Sequence, residues 1–424
     1  PPPPAPAPLV SAMDRPSLST PLVGKRFSSR PSRRLSSAAR TTSRVESRVL
    51  IVQEGKIEGI TGYLSWLSVL LIFVPVGILA DWLQWSDSLI FIFNFLGIMP
   101  LAVILGRATE DIAIHLNNDT LGGLINATFG NAVELILSLN ALRAGLFDIV
   151  KATLLGSILS NLLLVLGCSL VAGGCIYPEM KMTPIVVQAN ASVLMIAVMG
   201  FVVPSVFATI TGVGERREVM VSMWSAAVMI VMYGSYLFYE LFTHRHFFEV
   251  EEEDGEVGGM GEEEEEDEVA CATLPVAMAI LAGSCVVVGI TSEYLVSSVD
   301  GFATKVGLSP TFVALILLPI VGNAAEHFSA VTVAMKNKLD LSVGIAVGSS
   351  VQIAVFVTPL MVLMSNFVGP RPMTMTFSVF EVVVLVLSVM STSTMLKDSK
   401  ASWLEGVLLL GGYVIAGAGF WFMK

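Results

Sequence analysis

The chain has 424 residues, of which 54% are hydrophobic and 14% charged, and its mean hydropathy is +0.77. Soluble domains carry about 25% charged residues, so this composition excludes an ordinary cytosolic enzyme, a disordered scaffold and a nucleic-acid-binding protein. The net charge of −11 is local, because the segment Glu249–Glu268 holds 13 acidic and no basic residues, which leaves 22 acidic and 24 basic residues elsewhere. A polytopic membrane protein is predicted.

The first segment, residues 1–56, is rich in Ser, Arg and Pro and has few large apolar residues. Such a segment cannot bury enough surface to offset its ordering entropy, so we predict a disordered cytosolic tail. The chain begins at Pro1, ahead of Met13, and we expect residues 1–12 to lie outside the native mature sequence. Arg33-Arg34-Leu35-Ser36 has a spacing suited to a basophilic kinase. A regulatory kinase is therefore one predicted partner, the alternative being an inert tail.

Eleven apolar segments of about 18 to 25 residues follow, which is the length that crosses a bilayer core at 1.5 Å rise per residue. Gly and Pro occur inside these segments, as is typical of membrane helices rather than of barrel strands. We therefore predict an all-α fold of about eleven transmembrane helices, with contact to membrane lipid. The segments are 62–83, 87–106, 121–142, 149–173, 184–208, 219–243, 272–296, 309–334, 341–366, 373–393 and 402–423.

The domain organisation follows from these segments and from the charges between them. We expect a first transmembrane half at 57–248, an acidic loop at 249–270 and a second half at 271–424. Most of the 24 Lys and Arg residues lie in the tail and in the loops that share its face. The positive-inside rule therefore places the amino terminus and the acidic loop in the cytosol.

Two short motifs repeat with an offset of 192 residues, one in the third apolar segment and one in the eighth. The same offset relates a Gly-Ser pair that follows each motif. Because the copies are offset by five segments, they enter the membrane from opposite faces. Such an inverted repeat, here of two sets of five helices, places a substrate site near the bilayer midplane. The paired sequences are Gly130-Asn131-Ala132-Val133-Glu134 with Gly322-Asn323-Ala324-Ala325-Glu326, and Gly156-Ser157 with Gly348-Ser349.

Glu134 and Glu326 are the candidate binding residues. An ionised carboxylate within a membrane costs several kcal/mol unless a cation, proton or donor meets it. A structural alternative is that each glutamate caps a helix break, but this does not explain the pairing. Two carboxylates neutralise a divalent cation, and the amides of Asn131 and Asn323 add the oxygen ligands that Ca²⁺ prefers. His327 suits proton movement or orientation of a neighbour better than metal ligation.

The same two carboxylates predict an exchanger. When the cation leaves, like charges facing each other in a low dielectric are neutralised by protons. The pair would then bind either one divalent cation or about two protons, and alternating access would expose it to each face. No resident cofactor is predicted, and Ca²⁺ is expected as the transported substrate.

The motif Asn126-Ala127-Thr128-Phe129-Gly130-Asn131-Ala132-Val133-Glu134-Leu135 and its partner at 322–327 resemble the two signature repeats of the vacuolar calcium/proton exchanger family, within the cation/calcium exchanger superfamily. The resemblance covers roughly residues 60–424. Sodium/calcium exchangers typically carry a Pro before this glutamate, and its absence here favours protons as the counter-ion. The resemblance implies an acidic vacuolar or other endomembrane, an inhibitory tail and a low-affinity calcium collector in the acidic loop, for which a solvated linker is the alternative.

The resemblance also implies roles for individual residues. Glu134 and Glu326 would be the central calcium and proton carboxylates. Asn131 and Asn323, with Gly130 and Gly322 as carbonyl donors, would complete the shell. Further polar side chains would line the ion path, with helix packing through small polar residues as the alternative; these are His327, Ser157, Ser160, Asn161, Ser349 and Gln352.

Three other functions compete with calcium/proton exchange. Manganese or another divalent cation fits the same oxygen ligands. A calcium channel requires a ring of identical ligands or a continuous pore, which paired elements in one chain do not favour. An intramembrane enzyme is disfavoured, because His-Glu-x-x-His and Gly-x-Gly-Asp motifs are missing from the sequence.

Overall fold

Helices make up nearly all of residues 66–116, 118–211, 214–244 and 270–423, which are the residues that the computed structural model describes. These residues belong to one of the chain's two units, Lys56–Lys424. The predicted cytosolic tail with its kinase motif and the acidic segment Glu249–Glu268 lie outside the described residues. The predicted all-α fold is confirmed.

The first half runs from a short 3₁₀ segment, Trp66–Ile72, to a π-helical turn at Tyr239–Thr243. A second π-helical turn, Ser160–Val165, lies inside the fifth helix. The helices are α1 Phe73–Trp82, α2 Asp87–Leu116, α3 Asp119–Phe129, α4 Ala132–Arg143, α5 Phe147–Ile176, α6 Pro184–Thr211 and α7 Glu215–Thr243, with strand β1 at Met180–Lys181.

The second half contains two further π-helical turns, Val313–Leu317 and Ile353–Val357, and a 3₁₀ turn at Leu396–Asp398. Its helices are α8 Leu274–Ser297, α9 Val299–Val306, α10 Pro310–Gly322, α11 Ala324–Met335, α12 Leu339–Val368, α13 Val379–Met395 and α14 Trp403–Phe422, with strand β2 at Lys400–Ala401.

Eight helices in the described ranges are long and apolar enough to cross a membrane, or up to ten if each of two bent pairs is one span. One bent pair is α3 with α4, at 40°, and the other is α9 with α10, at 113°. A shorter apolar helix covers Leu67–Trp82. Each of the eleven predicted segments overlaps a helix, while the number of crossings stays a prediction.

Contacts between loops agree with segments that cross alternately. Arg371, after α12, lies over the Phe147 ring at 5.2 Å and within 3.8 Å of Glu215. At other loops, β1 pairs with β2, and the Thr183 backbone N–H donates to Asp340. If consecutive segments cross the membrane in opposite directions, the loops joined by Arg371 all lie on one face. The loops joined by the β1–β2 pair and by Thr183 then lie on the other face.

Two predicted boundaries are wrong. The second segment was expected to end at residue 106, but α2 continues to Leu116, because Arg107, Glu110 and Asp111 end the apolar stretch and not the helix. The tenth segment was expected to begin at residue 373, but residues 372–378 are extended and α13 begins at Val379. Ser378 and Glu381 form a capping box that starts the helix there, and Pro370 and Pro372 disfavour helix before it. Buried serine hydroxyls of three helices accept the backbone N–H groups that the extended segment would otherwise leave unpaired, in the pairs Met373 with Ser365, Met375 with Ser222 and Phe377 with Ser205.

Helices α5 and α12 form the centre of the molecule. In the most apolar 18-residue stretch of each helix, 83% of α5 and 72% of α12 is buried inside the protein, compared with 22% of α7 and of α14. The offset of 192 that relates the two motifs also carries the first and last residues of α4 onto those of α11, and those of α5 onto those of α12. Polar side chains on α5 and α12 are therefore enclosed by protein and lie in equivalent places. That the two halves are inverted stays a prediction.

Candidate functional site

The two motifs lie where helices break. Asn131 separates α3 from α4 with φ −105° and ψ 31°, and Asn323 separates α10 from α11 with φ −84° and ψ 18°. These dihedrals fall in the sparsely populated bridge region rather than in the helical one. The preceding Gly130 is needed because a Cβ there would lie 2.6 Å from the carbonyl oxygen of Asn126. Each break turns one asparagine side chain away from its own helix.

The Asn131 side chain is held by the opposite half of the chain. Its Nδ2 donates to Oε1 of Gln352 at 2.7 Å, and its Oδ1 accepts from the Ser349 hydroxyl at 2.8 Å. Ser349 in turn accepts from Nδ2 of Asn161, at 2.9 Å. Both halves therefore contribute to one buried hydrogen-bonded network.

Asn323 makes the reciprocal contact. Ser157, which the 192 offset pairs with Ser349, donates its hydroxyl to Oδ1 of Asn323 at 2.5 Å. Nδ2 of Asn323 donates back to the carbonyl oxygen of Ser157 at 3.1 Å. The two asparagine–serine pairs thus cross between the halves in both directions.

Glu134 and Glu326 occupy the first turns of α4 and α11. Glu134 is 2% exposed, and neither of its carboxylate oxygens has a hydrogen-bond partner among the described residues. Oε2 of Glu326 is likewise buried and without a partner there. Buried carboxylate oxygens of this kind require a proton or a cation, because the described residues supply them with no donor.

Gly322 sets the approach of one carboxylate to the opposite half. A Cβ at this position would lie 2.7 Å from Oε1 of Glu134. The Glu134 carboxylate therefore rests against the end of α10, four residues before Glu326. The two acidic helix starts and the two breaks converge on one place.

The donor set consists of oxygen atoms. Two carboxylates and the neighbouring amide and hydroxyl oxygens are hard ligands, as Ca²⁺ prefers. Within the described ranges, no group of three or more His, Cys, Asp or Glu side chains could hold a metal ion. The arrangement suits a cation that is bound transiently, since only two formal charges face it.

The remaining predicted residues lie around this centre. Ser160, which begins the π-helical turn of α5, is 1% exposed, and its hydroxyl has no partner within hydrogen-bond distance among the described residues. His327 lines a groove of about 540 Å³ with Cys168, Phe328 and Leu410, on the side of α11 that faces α5 and α14. Both groups lie on elements of the site, but no hydrogen bond joins either of them to the asparagine–serine network in the part that is described.

One residue beside the site was missed by sequence reasoning. Tyr413 of α14 is half-buried, and its buried hydroxyl has no hydrogen-bond partner among the described residues. The only sequence signal is that Tyr413 is the one hydrogen-bonding side chain between Glu405 and Trp421. A tyrosine in an apolar helix is otherwise unremarkable, so this signal alone does not indicate a role.

Comparison with known proteins relates the whole described region to membrane exchangers. The family described as "Sodium/calcium exchanger protein" matches residues 87–242 and 276–422. The Ca(2+)/H(+) antiporter of Aphanothece halophytica is 44% identical over 357 residues, which are 83% of this chain and 95% of that protein. Vacuolar cation/proton exchanger 3 of Oryza sativa subsp. japonica is 40% identical over 363 residues, which are 84% of this chain and 86% of that protein.

A solved structure supports the same similarity in three dimensions. The structure of native YfkE superposes with a TM-score of 0.72 at 35% sequence identity, and covers 84% of this chain and 100% of that chain. The region that the family model matches includes both helix breaks and both glutamates.

Proposed function

Since the chain belongs to the sodium/calcium exchanger protein family, and its motifs resemble those of the calcium/proton exchangers, we propose that it is a secondary active antiporter. It exchanges cytosolic Ca²⁺ for lumenal H⁺ across an acidic endomembrane. The relatives whose names pair calcium or cations with protons support this choice of ions. The vacuolar relatives support the choice of membrane.

One observation carries the proposal: the Glu134 carboxylate and the buried Oε2 of Glu326, one from each half, have no hydrogen-bond donor among the described residues, and Oε1 of Glu134 lies against Gly322, four residues before Glu326. In the cation-bound state, Glu134 and Glu326 neutralise Ca²⁺, with oxygens of Asn131 and Asn323 nearby. In the proton-bound state, each carboxylate is neutral and the low dielectric no longer penalises it. The two states exclude each other, and this competition couples the ions.

The asparagine–serine pairs support alternating access. Each asparagine lies at a helix break and bonds to a serine of the other half. A movement of one half against the other therefore changes the ligand geometry at both breaks together. The pairs hold the site while access passes from one face to the other.

A pH gradient supplies the driving force for this exchange. A difference of two pH units provides about 2.7 kcal/mol for each proton moved. A membrane potential adds about 2.3 kcal/mol per 100 mV for each net charge moved. The tail and the acidic loop are proposed to regulate this cycle, the tail by docking at the cytosolic face until phosphorylation weakens its basic charge.

The test is calcium uptake by purified protein in liposomes with an acidic interior. We expect uptake to require the pH gradient and to stop when a protonophore is added. Glu134→Gln and Glu326→Gln should each abolish it, whereas Glu215→Gln, whose side chain is 79% exposed, should not. Uptake that persists in both site variants would remove the glutamates from the mechanism. Uptake that a protonophore leaves unchanged would exclude protons as the counter-ion. Calcium uptake measured in the presence of excess Mn²⁺ tests whether Mn²⁺ is an alternative substrate.

A further inference from the structure

Tyr413 of α14 reaches into the molecule from its periphery. Only 22% of the apolar window of α14 is buried, yet the Tyr413 hydroxyl is fully buried. The buried hydroxyl of Ser160 lies in the π-helical turn that α14 packs against, and neither hydroxyl is hydrogen-bonded to a described residue. Two buried hydroxyls on helices in contact gain most from bonding to each other, directly or through one water.

Small residues allow this approach. A Cβ on Gly406 would lie 2.7 Å from the carbonyl oxygen of Gly167, and a Cβ on Gly167 would lie 3.0 Å from Leu410. Helices α14 and α5 therefore cross in close contact, as small residues permit between membrane helices. The crossing places Tyr413 beside the π-helical turn that begins at Ser160.

In the second half of the chain, the position equivalent to Ser160 carries a longer side chain. The offset of 192 pairs Ser160 with Gln352, and Gln352 itself reaches Asn131 at 2.7 Å. A serine is too short to make the equivalent contact with Asn323. Ser169 of the same helix, in contrast, donates its hydroxyl to the carbonyl oxygen four residues earlier. The Ser160 hydroxyl makes no such local bond and is free for a partner outside its helix.

We propose that Tyr413 is a positioning residue of the ion site, and that the Tyr413–Ser160 hydroxyl pair does for the first half what the Gln352 side chain does for the second. Helix α11, which carries Glu326 in its first turn, packs against the same π-helical turn. The pair fixes this turn beside Asn323 and Glu326. Tyr413 itself does not contact the transported ion. This inference rests on the proposed function.

The experiment compares Tyr413→Phe with the wild type in liposomes with an acidic interior. Loss of one buried hydrogen bond predicts a rise of about three- to tenfold in the KM for Ca²⁺, with the maximal rate within about twofold. Ser160→Ala, which leaves the α14 contact in place, should raise KM by the same factor. The double variant should be no worse than either single variant, because the two hydroxyls act through each other. Tyr177→Phe, at the end of α5, is the matched control and should match the wild type.

Three results would overturn the inference: an unchanged KM in Tyr413→Phe, an unchanged KM in Ser160→Ala, or effects that multiply in the double variant. If Tyr413→Phe fails to fold, Ser160→Ala alone decides the matter. Failure of the proposed function is distinguishable, since the wild type would then show no uptake driven by the pH gradient.

Discussion

The Ser349 hydroxyl donates to the side-chain oxygen of Asn131 at 2.8 Å, although 218 positions separate the two residues in the chain. The equivalent pair, Ser157 with Asn323, joins the halves in the reverse direction. Each half thereby positions the helix break of the other. In our account, this reciprocal arrangement is what keeps two buried carboxylates beside each other while the halves move.

Asn131→Ala should weaken calcium binding strongly. It removes the acceptor for Ser349 and the donor for Gln352 together. Two buried hydrogen bonds of about 1 kcal/mol each predict a KM for Ca²⁺ raised at least about tenfold in liposome uptake. Ser350→Ala is the matched control, because among the described residues that buried hydroxyl bonds to the Ala346 carbonyl oxygen of its own helix and not to the network. An equal effect in both variants would contradict a specific role for the network.

Gly322→Ala should abolish transport, because the added Cβ would lie 2.7 Å from Oε1 of Glu134 and displace its carboxylate. Gly344→Ala provides the comparison, since a Cβ there meets nothing within 4 Å. Alanine inside a helix stabilises it by up to about 1 kcal/mol relative to glycine. We therefore expect the Gly344 variant to transport normally and to unfold at the wild-type temperature or slightly above it. Normal calcium uptake by the Gly322 variant would show that the close approach is dispensable.

Ser222→Ala should lower stability without changing ion selectivity. Its hydroxyl accepts the backbone N–H of Met375 at 2.9 Å in the extended segment before α13. An N–H left buried without an acceptor costs about 1 to 3 kcal/mol. Thermal unfolding in detergent should show the loss, whereas Ser235→Ala, at an exposed hydroxyl bonded within α7, should change little. Equal melting temperatures for the two variants would mean that the segment does not depend on this contact.

The pair Glu179 and Lys400 predicts a small pH effect where β1 meets β2. Lys400 lies 2.7 Å from the Glu179 carboxylate and lowers the pKa of that group below its usual value of 4.5. A carboxyl whose pKa is lower in the folded protein stabilises it above the unfolded pKa, and this contribution is lost as pH falls through the folded pKa. Thermal unfolding of Glu179→Gln should therefore differ from the wild type near neutral pH and converge with it on acidification. Both side chains are more than half exposed, so the difference should be small. If the melting temperatures of the variant and the wild type instead moved apart as the pH falls, the predicted direction of the pH effect would be wrong.

Much of the site could be predicted because the sequence repeats. The shared spacing between each glutamate motif and its Gly-Ser pair indicated Asn131, Ser157, Asn323 and Ser349 before their contacts were visible. A shared spacing shows which residues occupy equivalent positions in the two halves. Because the equivalent helices α5 and α12 both lie at the centre of the fold, these residues come close together. Hydropathy located a helix in every predicted segment, since membrane spans are long and apolar, but it did not give every helix end.

The features that were missed depend on contacts between distant segments. The helical start predicted at residue 373 failed because serine hydroxyls from three helices stabilise extended backbone there. Tyr413 was missed because its role depends on how closely α14 approaches α5. Hydropathy and local spacing carry no information about such contacts.

The measurement that tests the central claim most directly is proton release on calcium binding by the purified protein in weakly buffered detergent solution. If the same carboxylates hold either ion, adding Ca²⁺ should release protons in proportion to the calcium bound. The double variant Glu134→Gln/Glu326→Gln should release none. Calcium binding by the wild-type protein with no proton release would contradict the account.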